Sequence, residues 1–115
     1  MPFDSLRAFA PAASRVLKAM GNPHRLAVLC DLSRGELSVK ELEARLGLSQ
    51  SALSQHLARL RHEKLVCTRR DRQTIYYSLN GAVAESVLAA LMDVYHPRPS
   101  LTDSVGQPSV RASSP

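Results

Sequence analysis

The sequence predicts a mainly α-helical fold carrying one small β-hairpin, and three observations lead there. Apolar residues recur at helical spacing through most of the chain, in segments separated by Gly, Pro and Ser. Gly47 divides two short helical stretches, the second of them rich in Ser and Gln. The period then changes, and Leu65 to Leu79 reads as two β-rich runs around a charged tip. Helix, tight turn, helix and basic hairpin, in that order, make the layout of a winged helix-turn-helix.

The first twenty residues are Ala-rich and partly helical, with Pro11 interrupting any single long helix. Val16, Leu17 and Met20 form a small apolar stripe there. At Gly21-Asn22-Pro23, glycine suits a helix C-terminus, asparagine an N-cap and proline a first helical position. The next helix is expected from Pro23 to Ser33, with Leu26, Leu29 and Cys30 on its inner face and Ala27 and Val28 widening it. Glu36-Leu37-Ser38 suits a short strand. Ser38 and Glu41 have capping-box spacing for a helix over Val39–Leu46, with Val39, Leu42 and Leu46 inward. Gly47 stops that helix and Leu48 plugs the turn. Ser49 caps the following helix, which runs to about Glu63 with Leu53, Leu57 and Leu60 as its buried stripe. Val66–Arg70 and Thr74–Leu79 make the hairpin, Asn80-Gly81 a turn, and Ala82 to Tyr95 a last helix. Residues 1–96 are expected to form one domain, and 97–115, rich in Pro, Ser and Gly, a disordered tail.

A chain of 115 residues holds one small domain, and its 44% apolar content is enough for a core. Aromatics are 4% and Trp is absent, so Leu, Val and Ala must build that core. Small helical chains often complete their cores by dimerising. Fifteen Lys and Arg against ten acids give a formal charge of +5, which favours a polyanionic partner. Placement is more telling than the total: between Arg59 and Arg72 six basic residues face two acids. No run approaches the ~20 apolar residues of a membrane span, and no signal-type segment opens the chain. A cytoplasmic protein off the membrane, with reduced cysteines, is expected.

A recognition helix must hold short polar groups near base edges while its other face stays in the core. Gln pairs with adenine through its amide, and Ser serves several bases. Gln50, Ser51, Ser54, Gln55 and His56 occupy the first two turns after Gly47, the part that enters a major groove. Ser49 sits at the cap, where a helix N-terminus favours phosphate, and Arg59 follows on the same exposed face. Ser and Gln also decorate ordinary solvated helices; the Gly47 turn and the basic hairpin favour the DNA reading. Near the hairpin tip, Arg69, Arg70 and Arg72 suit phosphate or a narrow minor groove, with Gln73 and Thr74 as secondary candidates. Charges on an edge strand also block aggregation, and both roles are compatible. No paired carboxylates, nucleophile elbow or phosphate-binding glycine loop is visible, so no enzyme and no cofactor are expected.

With these residues in view, the chain resembles the ArsR/SmtB family of winged-helix repressors over roughly Leu17 to Tyr95. Asn22-Pro23-His24-Arg25-Leu26 is similar to the opening of the family's second helix. Leu48-Ser49-Gln50-Ser51-Ala52-Leu53-Ser54-Gln55-His56-Leu57 resembles its recognition helix, and Thr74-Ile75-Tyr76-Tyr77 its second wing strand. The resemblance implies a homodimer through the first and last helices on an inverted-repeat operator in double-stranded DNA. Half-sites would then lie ~34–36 Å apart.

Family members that sense metals place Cys-x-Cys where this chain has Ser38 and Lys40, or use histidines on the last helix. Here Ala82–Tyr95 holds no His, and His96 stands alone after it. No metal is expected. The subgroup implied is that of NolR-, HlyU-, BigR- and SqrR-like regulators, whose persulfide sensors use two cysteines. Cys30 matches the first, and the second position holds His96. Cys30 is read as a small buried apolar side chain and Cys67 as an exposed thiol. The leading expectation is a dimeric repressor. The alternative is a repressor responsive to thiol oxidation, persulfide or metal through Cys30, with Cys67 or His96.

Overall fold

In the computed structural model the described residues are 2–96, so the tail expected over 97–115 lies outside the described residues. A 3-10 segment, Pro2–Phe9, leads into α1 (Ala10–Met20). Pro11 sits in the first turn of α1, where its missing N–H leaves no bond unmade. The interruption predicted at Pro11 is thus a change of helix type just before it. α2 (Pro23–Leu32) starts on Asn22, whose side chain accepts the N–H groups of His24 and Arg25 at 2.9 and 3.1 Å.

The capping box predicted for α3 (Val39–Leu46) is present. Glu41 N–H donates to Ser38 Oγ at 3.1 Å, and Ser38 N–H donates to the Glu41 carboxylate at 2.8 Å. Gly47 closes α3 in the left-handed region (φ 65°) and donates its N–H to the Glu43 carbonyl at 2.9 Å. α4 (Gln50–His62) follows after Ser49.

β2 (Val66–Asp71) and β3 (Thr74–Leu79) form the hairpin, with Asp71 opposite Thr74 and only Arg72-Gln73 between them. The hairpin does not stand alone. β1 (Leu37–Ser38) pairs antiparallel with β3, Leu37 opposite Tyr77 and Ser38 opposite Tyr76, so the sheet runs β1-β3-β2. Ser38 therefore ends β1 and caps α3 at once, joining the root of the wing to the helix before α4. α5 (Val83–Tyr95) completes the fold.

The core gathers Ala19 and Met20 from α1, Val28, Leu29 and Leu32 from α2, and Leu42 from α3. Leu53, Leu57 and Leu60 from α4 join Leu65, Val66 and Ala84. The apolar stripe of α1 divides, with Met20 buried and Leu17 57% exposed. One sequence expectation is corrected here. Cys30 faces outward, because α2 buries Val28, Leu29 and Leu32, a face rotated away from it.

All nine exposed large apolar side chains among the described residues lie on the two N-terminal helical segments and α5. They are Phe3, Leu6, Phe9, Leu17, Val83, Leu91, Met92, Val94 and Tyr95. Among the described residues no helix is long and apolar enough to cross a membrane. Together these elements form a winged helix-turn-helix with a three-stranded wing.

A Cβ added at Gly47 would meet nothing within 4 Å, so a substitution there tests backbone conformation alone. Gly47→Ala should cost about 1–2 kcal/mol in a urea melt. An unchanged midpoint would show that α3 does not need a left-handed stop.

Candidate nucleic-acid interface

Burying Leu53, Leu57 and Leu60 fixes the rotation of α4 and turns the rest of it outward. Gln50, Ser51, Ser54, Gln55 and Arg59 are all exposed as a result. Ser49 Oγ accepts the Ala52 N–H at 3.2 Å, so its lone pairs serve the helix start while its own O–H stays available. Gln50 and Ser54 look into an open cleft of about 750 Å³. Lys40 and Glu43 of α3 form its other wall, and Gln73, Thr74 and Tyr76 close it from the wing.

The wing separates its arginines by strand alternation. Arg69 pairs across the hairpin with Tyr76, and Arg70 with Ile75, so the two arginines leave opposite faces. Arg69 is already engaged: Nε and Nη2 both donate to the Glu36 carboxylate at 2.8 Å, and its guanidinium lies 4.6 Å from the Tyr76 ring centre. The hydrogen bonds from Arg69 hold the Glu36 carboxyl below the usual carboxylate range, and the same bonds raise the Arg69 guanidinium. Arg69 thus braces β2 against the approach to β1, whereas Arg70 and Arg72 at the tip are exposed. Arg72 takes φ 62°, a left-handed conformation that a two-residue loop imposes on its first residue.

His56 stands apart from its neighbours on α4. It is half-buried against α2, where Arg25 Nη1 donates to its Nδ1 at 3.4 Å. Arg25 also donates from Nε to the Ala19 carbonyl and from Nη2 to the Lys18 carbonyl at 3.2 Å. One guanidinium therefore ties the end of α1 to α2 and α4. Asn22-Pro23-His24-Arg25 carried no such signal in sequence beyond helix capping, since Arg25's partners include main-chain oxygens across the Gly21 break. Desolvation first, then the charges of Arg25 and His24, lower the His56 imidazole below its ordinary range.

Cys30 on α2 and Cys67 on β2 are both exposed and unpaired by disulfide. Cys67 Sγ lies 3.4 Å from Ser78 Oγ. His96 caps the end of α5. Among the described residues no group of three or more His, Cys, Asp or Glu converges on a point that would hold a metal.

Residues 22–67, from the cap of α2 to the start of β2, match the model of the bacterial regulatory proteins of the arsR family. The nodulation protein NolR of Rhizobium meliloti is 48% identical over 106 residues, 91% of this chain and 84% of that protein. The chain belongs to the ArsR family. The transcriptional activator HlyU of Vibrio cholerae is 51% identical over 80 residues, 70% of this chain and 74% of that one. The crystal structure of the repressor BigR from Xylella fastidiosa superposes with a TM-score of 0.78 at 37% identity, covering 83% of this chain and 97% of that chain. HlyU and BigR are named as transcriptional regulators, and this ArsR-family chain is a winged helix-turn-helix of the regulator type, from the subgroup the sequence suggested.

The state of His56 gives a signed pH dependence. Its folded pKa lies below the ~6.5 of an imidazole in the unfolded chain, so the folded state binds fewer protons as pH falls below that value. This contribution to stability is neutral well above pH ~6.5 and becomes a penalty below it, complete once pH passes under the folded pKa. Thermal melts of the wild type should fall across that window, and those of His56→Gln should fall less. Parallel pH profiles for the two proteins would contradict this assignment.

Proposed function

We propose that the protein is a sequence-specific, dimeric repressor that binds an inverted-repeat operator in double-stranded DNA. One observation carries the reading. Helix α4 is anchored by three buried leucines and turns small polar side chains outward beside an arginine-tipped wing. Ser51, Ser54 and Gln55 are the base-edge readers, with Gln50 toward the wing cleft and Ser49 at the helix start near a phosphate. Arg70 and Arg72 clasp the strand beside the wing, with Gln73 at the tip. Arg69 contributes mainly by bracing the wing. His56 supports α4 from the α2 side rather than reading bases.

Dimerisation is supported by the confinement of exposed large apolar side chains to the N-terminal helical segments and α5. A second copy covering them would set two α4 helices on one face of the duplex. A regulator of this size represses by occupying a promoter. The relatives' own names include both an activator and repressors, and the small size of this chain favours repression. The exposure of Cys30 and Cys67 favours one second reading, in which thiol chemistry modulates DNA binding.

A duplex enriched from a random library by the protein itself provides the probe. Gln55→Ala should lose on the order of 1–3 kcal/mol on that duplex and relax base preference at one position per half-site. Arg72→Gly should melt no lower than wild type, since glycine accepts the left-handed turn, yet bind every sequence more weakly with a salt slope smaller by ~0.9. A Gln55→Ala protein indistinguishable from wild type across the library would remove α4 from the groove. For assembly, Leu91→Glu should sediment as a monomer and lose the enriched duplex. A dimer that survived this change would rule out the α5 interface.

A further inference from the structure

Two arginines and two histidines gather on the flank of α4 that faces away from the wing. Arg25 Nη1 meets His56 Nδ1 at 3.4 Å, the His24 and His56 rings lie 5.4 Å apart, and Arg59 is close enough to lower Arg25. The two ion pairs described, Arg15 with Glu63 and Arg69 with Glu36, involve none of the four. Burial and the neighbouring Arg59 lower the Arg25 guanidinium, while His56 accepts from Arg25 at Nδ1 and is held toward its neutral form, so the unrelieved like charges are the two guanidinium groups. Like charges held together without a carboxylate cost stability, and an anion arriving from outside relieves that cost.

Their place on the helix identifies the anion. At about 100° per residue, His56 and Arg59 lie about 60° and 120° round from Leu53 in one sense, while Gln50 and Ser54 lie about 60° and 100° in the other. Gln50 and Ser54 face the wing cleft, and His56 faces α2. Ser51 and Gln55 lie between the two flanks. A major groove about 12 Å wide is filled by one helix, and each of its edges is a row of phosphates. The wing serves one edge; the cationic cluster stands at the other.

We propose that His24 and Arg59, backed by Arg25 and His56, form a second phosphate-contacting site, which grips the DNA strand on the opposite flank of the recognition helix from the wing. This inference rests on α4 being the recognition helix. His24 and Arg59 are exposed and make the contact. Arg25 is a positioning residue: its guanidinium is pinned by the Lys18 and Ala19 carbonyls, so it orients His56 and adds positive potential at little entropic cost.

Fluorescence anisotropy on the full chain tests the site with two probes, the library-enriched duplex and a scrambled duplex of equal length, from roughly 50 to 200 mM salt. Arg59→Gln should weaken both duplexes by the same factor. Over that salt range its affinity should fall about 3.5-fold less than that of wild type, the amount one lost phosphate contact predicts. Arg59→Lys should restore both affinity and slope. His24→Gln, an exposed change on the other contributing helix, should shift both duplexes in the same direction and keeps the site testable if Arg59→Gln melts early. Specific wild-type binding with unmoved affinity and slope in Arg59→Gln and His24→Gln overturns this inference alone. So does a loss confined to the enriched duplex, which would make Arg59 a base reader, or a failure of Arg59→Lys to rescue. A wild-type protein that binds both duplexes equally overturns the recognition-helix reading and this inference with it.

Discussion

The outward face of α4 is set by what its inward face buries. Leu53, Leu57 and Leu60 are shut in the core, and a helix has only one rotation that satisfies all three. Once that rotation is chosen, Ser51, Ser54 and Gln55 point to solvent with no further interaction needed to aim them. Ser49 starts the helix and Gly47 ends the one before it, so the two ends of the turn are pinned by a cap on each side. The outward polar face is a by-product of core packing, and a polar face this short would have no fixed direction without it.

Where partners are local, the sequence reveals them. The Ser38–Glu41 capping box, the Asn22 cap and the Gly47 stop are all satisfied within four residues, and all are legible from residue type and spacing. The leucine stripe of α4 is legible for the same reason, as a period along one element. Cys30 is not: α2 is apolar on several sides, and only the positions of its neighbours decide that Val28, Leu29 and Leu32 go in and Cys30 stays out. Arg25 and Arg69 fail similarly. One reaches main-chain carbonyls across a chain break and a histidine on α4. The other reaches Glu36, a residue distant in sequence that β1 carries alongside the hairpin. A basic residue in a hairpin reads as a DNA contact until its counter-charge is located.

That counter-charge divides the arginines of the wing into two kinds. Arg69, held bidentate and laid over Tyr76, would have to leave a carboxylate before it met a phosphate. Arg70 departs from the opposite face of β2, and Arg72 from the tip. A wing made only of free arginines would repel itself and swing. One that spends its inner arginine on Glu36 keeps its root still while the outer two stay available. The same economy recurs on the other side of α4, where Arg25 is consumed by carbonyls and His56, and His24 and Arg59 remain at the surface.

The apolar residues show a matching division of labour. Among the described residues, large apolar side chains are exposed only on the N-terminal segments and α5, and these are the elements farthest in sequence from α4. Polar and cationic groups occupy the surface around α4, and apolar groups occupy the surface of the N-terminal segments and α5. Association through the apolar surface therefore leaves the polar one open. In the dimer we propose, each α4 would span a single stretch of groove, and coupling two copies through α5 would convert weak half-site recognition into recognition of a spaced pair. The packing of the leucines that aims α4 and the exposure of Leu91, Val94 and Tyr95 are two outcomes of one constraint. A chain with few aromatics and a small core buries what points α4 outward and leaves apolar side chains of its N-terminal segments and α5 at the surface.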